Sequence, residues 1–407
     1  MITNRKKKIL ILGAGVEQTI AIKTARELGY YVVALDGNPL AQGKDFADVF
    51  VNIDINCVGS ITSVARQFEV DGVFCHGVEI PDVVAAVAES LGLPGNSRDV
   101  AENATVKGRR IEILQSAGVR VPEHWMCPDK NSVFELDIPP EKYPLVIKPV
   151  DAAGARGVIL VASEIELREA YDIAVRFSTR SGVLVERYLT GPQISTEAFV
   201  TPESVVTYEF ADRNYDSSEE FKPYFVEDGI NFPSALSKEK QNIVIQETVK
   251  AIRALGIEFG AAKGDVILHN NEPYIIEMAA RTSGGWFSVG SIPAATGINP
   301  LIPLLQISVG DVPDLTKLEP LFFKGCAQRY WIPKRDGVLK RVTGLDLLEH
   351  LESVEIFEHF FPPDGTFIKK STNHAERYAQ VICTARTRQQ AIINARQAIS
   401  AIDVEFE

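Results

Sequence analysis

Two acidic residues in the second half of the chain are spaced to meet across a turn. Asp265 and Glu277 lie on predicted strands that flank a turn centred at Asn271, and each is six residues from that centre. Their side chains are therefore expected to face one another. Facing carboxylates repel, and a divalent cation between them removes the repulsion. A salt-bridged pair of strands is the alternative interpretation.

Arg281 follows the second carboxylate on the same face of its predicted strand. Glu277, Ala279 and Arg281 alternate along that strand, which places a guanidinium beside the carboxylates. A guanidinium matches phosphate oxygens with two parallel N–H donors. The charged side chains together indicate a site that handles a transferred phosphate beside a metal ion.

A short turn of small residues supplies a second phosphate-binding signal. Lys148 ends a predicted strand and is followed by the turn Asp151–Gly157 and then by another strand. Small residues let backbone N–H groups approach phosphate oxygens without Cβ clashes, while the lysine neutralises charge. This pattern predicts a phosphate loop, with an ordinary glycine-bearing hairpin as the alternative.

The first hundred residues must form the scaffold on one side of this site. They alternate β-branched runs with helical periodicity, which predicts a parallel sheet covered on both faces. Gly13 and Gly15 follow the first strand as in a dinucleotide fingerprint, but Gln18 stands where the third glycine is needed. A Rossmann-like domain without nicotinamide is favoured, and an NAD-dependent oxidoreductase is the alternative.

The remainder of the chain changes to antiparallel signals. Two small α+β modules are predicted, the first from Tyr143 and the second ending in the two strands around Asn271. The charged stretch Ala211–Glu227 is expected to be a loop over a site. The predicted fold class is therefore α/β followed by α+β.

Composition excludes several classes of function. The 407 residues carry a formal net charge of −12 with no basic stripe, which argues against nucleic acid or an anionic membrane as a partner. No apolar run reaches the roughly 18 residues of a membrane span. The five cysteines are scattered and never form a C-x-x-C pair, which favours a reducing, cytoplasmic location without disulfides or a thiolate zinc site.

Taken in order, these residues resemble the ATP-grasp superfamily. The resemblance is carried by Lys107, Lys148, the loop Asp151–Gly157, the segment Glu186–Leu189, Asp265, and Glu277 to Arg281 followed by Gly284 and Gly285. It implies a Rossmann-like pre-ATP-grasp domain at 1–103, a two-lobed ATP-grasp domain at 104–310 with its small lobe at 142–190, and a biotin carboxylase-like C-terminal lobe at 311–407. It also implies ATP and one or two Mg²⁺ ions as cofactors, with Mn²⁺ as a substitute.

The resemblance assigns roles to single residues. Asp265 and Glu277 are implied as magnesium ligands, and Arg281 as the catalytic residue that stabilises the transferred phosphate. Gln193 stands where many members have a ribose-binding Glu, and Ala279 replaces a frequent Asn, so the ribose contact and the number of metal ions stay open. The implied ATP-binding residues are Lys107, Lys148, Ala153, Gly154, Ala155, Arg156, Glu186, Arg187, Tyr188, Leu189 and Gln193.

The string from Glu277 to Gly285 is similar to the branch of L-amino acid ligases and other carboxylate–amine ligases. That similarity implies phosphorylation of a small-molecule carboxylate to an acylphosphate, which an amine converts to an amide with release of ADP and phosphate. The implied substrate residues are Glu79, Asn231, Gly284, Gly285, Trp286 and Arg377. A core position for Trp286 and a surface salt bridge for Arg377 are the alternatives.

Two further readings of the whole chain stay open. One is a carboxylase-like enzyme that phosphorylates bicarbonate or another oxyanion, and the other is a nucleotide sensor without turnover. The sequence also leaves open whether the chain forms a homodimer.

Overall fold

The computed structural model describes residues 5–407. The N-terminal part is a four-stranded parallel sheet in the order β3-β2-β1-β4. Its elements are β1 (Lys8–Leu12), α1 (Val16–Glu27), β2 (Tyr31–Asp36), β3 (Val49–Asn52), α2 (Val58–Phe68), β4 (Gly72–Cys75) and α3 (Pro81–Leu91). The alternation of strands and helices predicted from the sequence is confirmed.

Both faces of this sheet are buried, as a parallel sheet requires. Ile9 and Ile11 pack into one hydrophobic core, and Leu10 and Leu12 pack into another on the opposite face. The first core also contains Phe199 and Leu304 from later in the chain. The N-terminal sheet is therefore packed directly against the part of the molecule that carries the charged residues.

The small lobe is a second, antiparallel sheet in the order β5-β8-β6-β7. Helices α4 (Arg98–Thr105) and α5 (Lys107–Ser116) lead into it. Its elements are β5 (His124–Cys127), α6 (Lys130–Phe134), β6 (Leu145–Pro149), β7 (Ile159–Val161), α7 (Glu164–Ala174) and β8 (Val183–Arg187). The predicted start of this lobe at residue 142 is too late, because β5 pairs with β8 along its whole length.

The largest sheet has eight antiparallel strands in the order β13-β12-β9-β10-β11-β14-β18-β16, and a three-stranded sheet has the order β17-β15-β19. The remaining strands are β9 (Gln193–Val200), β10 (Val205–Asn214), β11 (Gly229–Phe232), β12 (Gly260–His269), β13 (Glu272–Ala279), β14 (Gly325–Trp331), β15 (Gly337–Thr343), β16 (Val354–His359), β17 (Phe367–Ile368), β18 (Ala379–Ala385) and β19 (Asp403–Phe406). The remaining helices are α8 (Ser218–Phe221), α9 (Lys238–Ala254), α10 (Ile292–Thr296), α11 (Leu301–Ser308), α12 (Leu345–Leu348) and α13 (Arg388–Ser400). The predicted boundary at 311 therefore crosses a continuous sheet, since β11 pairs with β14.

The charged stretch Ala211–Glu227 is more ordered than the expected loop. Strand β10 continues to Asn214, where it pairs with Gly229 of β11, and α8 follows within the stretch. Phe221 at the end of α8 is fully buried and anchors the segment. The expectation of a simple loop was wrong. Charged residues usually indicate an exposed loop, but here part of the stretch is a strand whose polar side chains face the interior of the molecule.

The hairpin between β12 and β13 brings the two predicted carboxylates opposite one another. Asn270 and Asn271 both adopt positive φ, 51° and 63°, as a two-residue turn requires. A β-bulge at Asp265 and Val266 shifts the register by one residue and pairs Asp265 with Glu277. The facing of the two carboxylates predicted from their spacing is confirmed, although it depends on a bulge that the spacing does not show.

Two general expectations can be compared with residues 5–407. None of the helices in this range is long and apolar enough to cross a lipid bilayer. All five cysteines lie in the range, and each is a free thiol.

The contact between the N-terminal sheet and α11 depends on a glycine. A Cβ atom added to Gly72 would lie 1.9 Å from the carbonyl oxygen of Ser308. We expect Gly72→Ala to force the two elements apart and to lower the free energy of unfolding by about 1–3 kcal/mol. Gly59→Ala is the matched control on α2, where an added Cβ meets nothing within 4 Å. Urea unfolding measures both variants, and equal midpoints would contradict the tight contact.

Candidate active site

A cleft of about 1200 Å³ lies between the small lobe and the eight-stranded sheet. It brings together residues that are far apart in the sequence. The predicted residues that line it are Lys107, Lys148, Ala153, Gly154, Ala155, Glu186, Arg187, Tyr188, Leu189, Gln193, Asp265 and Glu277. Arg156 lines an adjoining cavity instead.

Lys148 is held in the cleft by a buried ion pair. Its Nζ lies 2.6 Å from Oε2 of Glu186 on the neighbouring strand β8, and both side chains are almost fully buried. An ammonium group has three N–H donors, so the pair with Glu186 leaves donors for a ligand in the cleft. Glu186 therefore fixes the position of the lysine charge at the end of β6.

Lys107 begins α5 and contacts the start of the phosphate loop. Its backbone N–H donates to Val150, and its Nζ donates to the carbonyl oxygen of Ala152. Burial lowers the pKa of Lys107 to about 7; nearby cations, Lys148 among them, add to this effect, and Glu277 opposes it. The ammonium is thus poorly compensated until negative charge arrives in the cleft.

The predicted phosphate loop has a fixed base and a tip in the left-handed backbone conformation. The carboxylate of Asp151 accepts hydrogen bonds from Ser178 Oγ at 2.6 Å and from the backbone N–H of Thr179 at 2.9 Å, which fixes the base. Gly154 and Ala155 at the tip have φ values of +64° and +60°. A left-handed tip turns successive backbone N–H groups toward one side, an arrangement that suits phosphate oxygens.

The other end of the cleft is apolar and aromatic. Leu189 is buried, and the rings of Tyr188 and Phe225 lie 5.9 Å apart. Ile267 lines the same region and pairs in the sheet with Gln193. A flat aromatic base can bind between such surfaces, with the Gln193 amide available to a polar substituent.

A buried charged cluster forms the centre of the cleft. Oδ2 of Asp265 lies 2.5 Å from Nη1 of Arg213 and 2.7 Å from Nζ of Lys263, and Ser195 donates to Oδ1 at 3.2 Å. Lys263 also lies 3.8 Å from Glu277. Burial acts to raise the pKa of Asp265, but the guanidinium of Arg213 and the ammonium of Lys263 outweigh it and hold that pKa well below its usual range.

Protein cations therefore offset the repulsion between the two carboxylates. Lys263 lowers the pKa of Glu277 as well, so both carboxylates are ionised and compensated by protein cations. The alternative of a salt-bridged pair of strands is also met, since Lys263 on β12 lies 2.7 Å from Asp265 and 3.8 Å from Glu277 on β13.

The same two carboxylates nevertheless fit a nucleotide-linked magnesium ion. No group of three or more His, Cys, Asp or Glu side chains among residues 5–407 is arranged to hold a metal. Mg²⁺ commonly takes one or two carboxylates and completes its shell with phosphates and water. Glu277 lines the cleft with 30% of its side chain exposed, so its oxygens are accessible to such an ion.

A second cavity of about 1120 Å³ adjoins the cleft. Arg156, Arg281, Gly284, Gly285 and Arg377 line it. The residues that line both spaces are Glu79, Ala153, Gly154, Arg213, Lys263 and His374. The two spaces therefore adjoin at the phosphate loop and the charged cluster.

Arg281 lies two residues beyond the end of β13, lines the second cavity and is paired with the N-terminal domain. Its Nη2 donates to Oε1 of Glu79, and its Nη1 donates to the carbonyl oxygen of Thr282 at 2.8 Å. Burial lowers the pKa of Arg281 to about 10, which keeps the side chain cationic at neutral pH. Glu79 and Arg281, both predicted site residues, are thus brought together.

The segment that follows Arg281 is attached to the large sheet by one buried carboxylate. Glu197 on β9 accepts hydrogen bonds from the Ser283 N–H and from Ser288 Oγ, both at 2.6 Å, and from Tyr208 Oη at 2.7 Å. Only 1% of Glu197 is exposed. Hydrogen bonds to a buried carboxylate are strong, so the segment is rigidly placed.

The N-terminal domain holds the same segment from the other side. Glu17, in the first turn of α1, accepts hydrogen bonds from the backbone N–H groups of Gly285 and Trp286, both at 3.0 Å. The indole Nε1 of Trp286 donates to Glu358 at 2.9 Å, and Trp286 lines a third, smaller cavity. Trp286 is therefore partly exposed at this third cavity and also packs against the hydrophobic core.

Two predicted substrate residues have different outcomes. Asn231 does not reach the cavity: its side chain bonds Arg329 at 2.8 Å and is 4% exposed, while Ile230 takes the cavity face of β11. Arg377 does line the cavity, with its guanidinium 4.0 Å from the ring centre of Tyr330. Arg377 is not in a surface salt bridge, since it donates to the Glu227 carbonyl at 2.6 Å.

Several residues of the site were missed in the sequence. Lys263 could have been found, because it lies two residues before Asp265 and shares its strand face. Arg213 and Glu227 lie in the stretch interpreted as a loop, and without a strand assignment nothing predicts their direction. His374 carries no local signal and reaches the cleft only through the tertiary fold.

Comparison with protein families identifies the chain. Residues 105–285 match the ATP-grasp domain, and residues 329–407 match the L-amino acid ligase C-terminal domain 2. Residues 105–285 of the chain form an ATP-grasp domain. This ATP-grasp chain is 23% identical over 414 residues to an uncharacterized protein of Sinorhizobium fredii, with 98% of this chain and 83% of that one covered.

Two further relatives have named activities. Over 336 residues the ATP-grasp chain is 25% identical to alanine–anticapsin ligase of Bacillus subtilis, which covers 76% of this chain and 68% of that enzyme. Over 327 residues it is 26% identical to the carbamoyl phosphate synthase large chain of Vibrio cholerae. That match covers 74% of this chain but only 28% of the synthase subunit. The family and these relatives indicate an ADP-forming ligase that makes carbon–nitrogen bonds.

Solved structures show the same fold. An L-amino acid ligase from Bacillus licheniformis superposes with a TM-score of 0.84 at 22% identity and covers 100% of both chains. The biotin carboxylase domain of 2-oxoglutarate carboxylase from Hydrogenobacter thermophilus gives 0.73 at 20% identity, with 98% and 91% covered. The predicted ATP-grasp architecture with a biotin carboxylase-like arrangement is confirmed.

Lys107 should take up a proton when nucleotide binds. Its pKa of about 7 rises when phosphate oxygens lie beside it, since negative charge favours the ammonium. Nucleotide affinity should therefore be constant below about pH 7 and fall above it, by up to ~10-fold per pH unit. Calorimetry of MgADP binding in buffers of different ionisation enthalpy measures the uptake. Lys107→Arg keeps a fixed charge, so uptake that persists in this variant would contradict the assignment.

Glu277→Ala should remove most of the effect of Mg²⁺ on nucleotide binding. The variant loses an accessible oxygen ligand but keeps Lys107 and Lys148 for the phosphates. We expect Mg²⁺ to strengthen ADP binding by about 10-fold or more in the natural protein and by little in the variant. Titrations with ADP in Mg²⁺ and in EDTA measure this, with the exposed Glu272→Ala on the same strand as control. An unchanged Mg²⁺ effect in Glu277→Ala would refute its role as a ligand.

Proposed function

We propose that this chain phosphorylates a small-molecule carboxylate with ATP and joins it to an amine. The observation that carries the proposal is that two spaces adjoin. The cleft and the second cavity are both lined by the phosphate loop, Lys263 and Arg213, so a carboxylate in that cavity would lie close to the terminal phosphate. Such proximity is the main requirement of phosphoryl transfer between two bound molecules.

The proposed reaction has two steps. A carboxylate oxygen forms a bond to the γ-phosphorus of ATP while the bond from that phosphorus to the β-phosphate bridge oxygen breaks, which releases ADP. The amine nitrogen then forms a bond to the acyl carbon, phosphate leaves with the electron pair, and the amine loses a proton. The products are an amide, ADP and phosphate.

The residues of the cleft supply binding and charge for these steps. Lys107, Lys148 and the N–H groups of Ala153 to Arg156 would hold the phosphates, while Glu186 to Leu189 and Gln193 would hold the base and ribose. Asp265 and Glu277 would hold Mg²⁺, or Mn²⁺, which neutralises phosphate charge when bound. Arg281 would stabilise the negative charge on the transferred phosphate, because its cationic fork is already oriented by Glu79.

The acceptor side favours a substrate with its own carboxylate. Arg377 stacks on Tyr330 and presents a guanidinium to the cavity, which suits a carboxylate. Gly284 and Gly285 would limit the size of the substrate, whereas Trp286 lines the third cavity and Asn231 lines neither. The match of residues 329–407 to an L-amino acid ligase domain supports amino acids as the acid, the amine or both.

The alternatives have weaker support. Nicotinamide binding would need a free turn at Gly13 and Gly15, but the Gln18 side chain covers this turn and donates to the His76 carbonyl. The Asp36 carboxylate, which would bind the ribose, already accepts from the Ala14 N–H at 2.7 Å. Bicarbonate phosphorylation rests on structural likeness at 20% identity, which shows the fold alone. A sensor without turnover is separated by the experiment below. A cytoplasmic location and a homodimer stay predictions.

A substrate screen tests the proposed function. Purified protein with MgATP is incubated with pairs of amino acids, single acids and bicarbonate, and ADP formation is measured. We expect ADP only when both an acid and an amine are present, with equal amounts of ADP, phosphate and amide. Turnover with bicarbonate alone would favour the carboxylase-like reaction, and nucleotide binding without any turnover would favour a sensor.

Arg281→Ala should separate chemistry from binding. Since this guanidinium acts on charge that develops during transfer, its loss should lower kcat by on the order of 10²-fold, about 3 kcal/mol, with little change in KM for ATP. Arg281→Lys should restore little, because a point charge lacks the planar pair of donors. Steady-state kinetics with thermal melts as controls measure this. Near-natural kcat in both variants would refute the phosphate role.

A further inference from the structure

One residue outside the ATP-grasp lobes contacts both sides of the active site. His374 belongs to the connection between β17 and β18 and lines all three cavities described above. Its neighbour Asn373 is buried and accepts from the Ala375 N–H at 2.9 Å, and Ser371 donates to the Asn373 carbonyl at 2.9 Å. The segment that carries His374 is therefore held firmly in the C-terminal lobe.

The backbone of His374 holds the tip of the phosphate loop. Its N–H donates to the carbonyl oxygen of Gly154 at 2.9 Å. Gly154 is exposed, and the nearest atom to a Cβ built on it is Cβ of His374, at 3.9 Å. The contact with His374 therefore fixes the tip at an exposed residue.

The imidazole of His374 holds a different part of the site. Its Nε2 accepts from the Glu227 N–H at 3.3 Å, so this nitrogen is unprotonated and the proton is on Nδ1. Burial lowers the pKa of His374 well below its usual value, the cations Arg377, Arg213 and Lys263 add to this, and a hydrogen bond with the Phe225 backbone opposes it. The ring is a neutral acceptor rather than a charge.

Glu227 in turn connects to the charged cluster. Its carbonyl oxygen accepts from Arg377 Nη2 at 2.6 Å, and its carboxylate pairs with Arg213. Arg213 contacts Asp265 at 2.5 Å. His374 and Arg377 thus hydrogen-bond to the backbone N–H and C=O of Glu227. The Glu227 carboxylate in turn orients Arg213 beside Asp265, the predicted metal ligand.

We infer that His374 is a positioning residue that couples the phosphate loop to the placement of Glu227 and Arg213. The bond from its backbone to Gly154 and the bond from its ring to Glu227 are made by one rigid residue. Ordering of the loop by nucleotide should therefore order the backbone at Glu227, which lines the substrate side. Coupling of this kind requires one element that both sites bias, and His374 is that element.

This inference rests on the proposed function only for the identity of the nucleotide, and hydrogen exchange tests it without knowledge of the acid or amine. The probe is Mg²⁺ with AMP-PNP, an ATP analogue that is not hydrolysed. In the natural protein, the probe should slow amide exchange in both 151–157 and 225–228. In His374→Ala, the probe should still slow exchange in the loop, because the backbone bond remains. The slowing that the probe causes in 225–228 should be smaller than in the natural protein by about 5-fold or more, a usual size of coupling.

Two further variants make the result specific. His374→Gln places an amide oxygen near the position of Nε2 and should restore the protection of 225–228. His350→Ala, at an exposed site after α12, should behave as the natural protein. Equal protection of 225–228 in His374→Ala and the natural protein, or failure of His374→Gln to restore what Ala loses, would overturn the inference. Absence of any protection at 151–157 in the natural protein would instead overturn the proposed nucleotide site, and this inference with it.

Discussion

The rest of the site depends on how buried charges compensate one another on the neighbouring strands β13, β12, β9 and β10. Asp265 and Glu277 meet there because of a bulge, and Arg213 and Lys263 lie against them. Removing one partner from such a cluster leaves an unpaired buried charge, which costs several kcal/mol. The cluster therefore fixes the register of the hairpin and, with it, the position of the accessible Glu277 carboxylate.

Contacts between parts of the chain then complete the site around this cluster. The N-terminal domain contributes Glu79, which orients Arg281, and Glu17, which holds the Gly285 and Trp286 N–H groups. The C-terminal lobe contributes the segment of His374. The N-terminal domain and the C-terminal lobe thus both supply polar contacts to the adjoining cavities, so nucleotide binding and substrate binding are not independent of the packing of these regions.

Much of the architecture could be predicted from local pattern. Alternation of apolar runs gives the parallel sheet, and the small-residue turn after Lys148 gives the phosphate loop, because both depend on neighbours in sequence. The limits of the small lobe and the C-terminal boundary could not be predicted, since β5 and β14 join their sheets through distant partners. Arg213 was not predicted as a site residue and Asn231 was predicted wrongly as one, both for one reason. Without the exact register of β10 and β11, the face to which each side chain points is unknown.

The central claim is that a carboxylate in the second cavity attacks the terminal phosphate of ATP in the adjoining cleft. The most direct test uses an acid substrate labelled with ¹⁸O in its carboxylate and analyses the inorganic phosphate formed during turnover by mass spectrometry. An acylphosphate route transfers one labelled oxygen to phosphate in each turnover, because cleavage of the acyl–oxygen bond leaves that oxygen on phosphorus. Unlabelled phosphate formed together with amide and ADP would contradict the account.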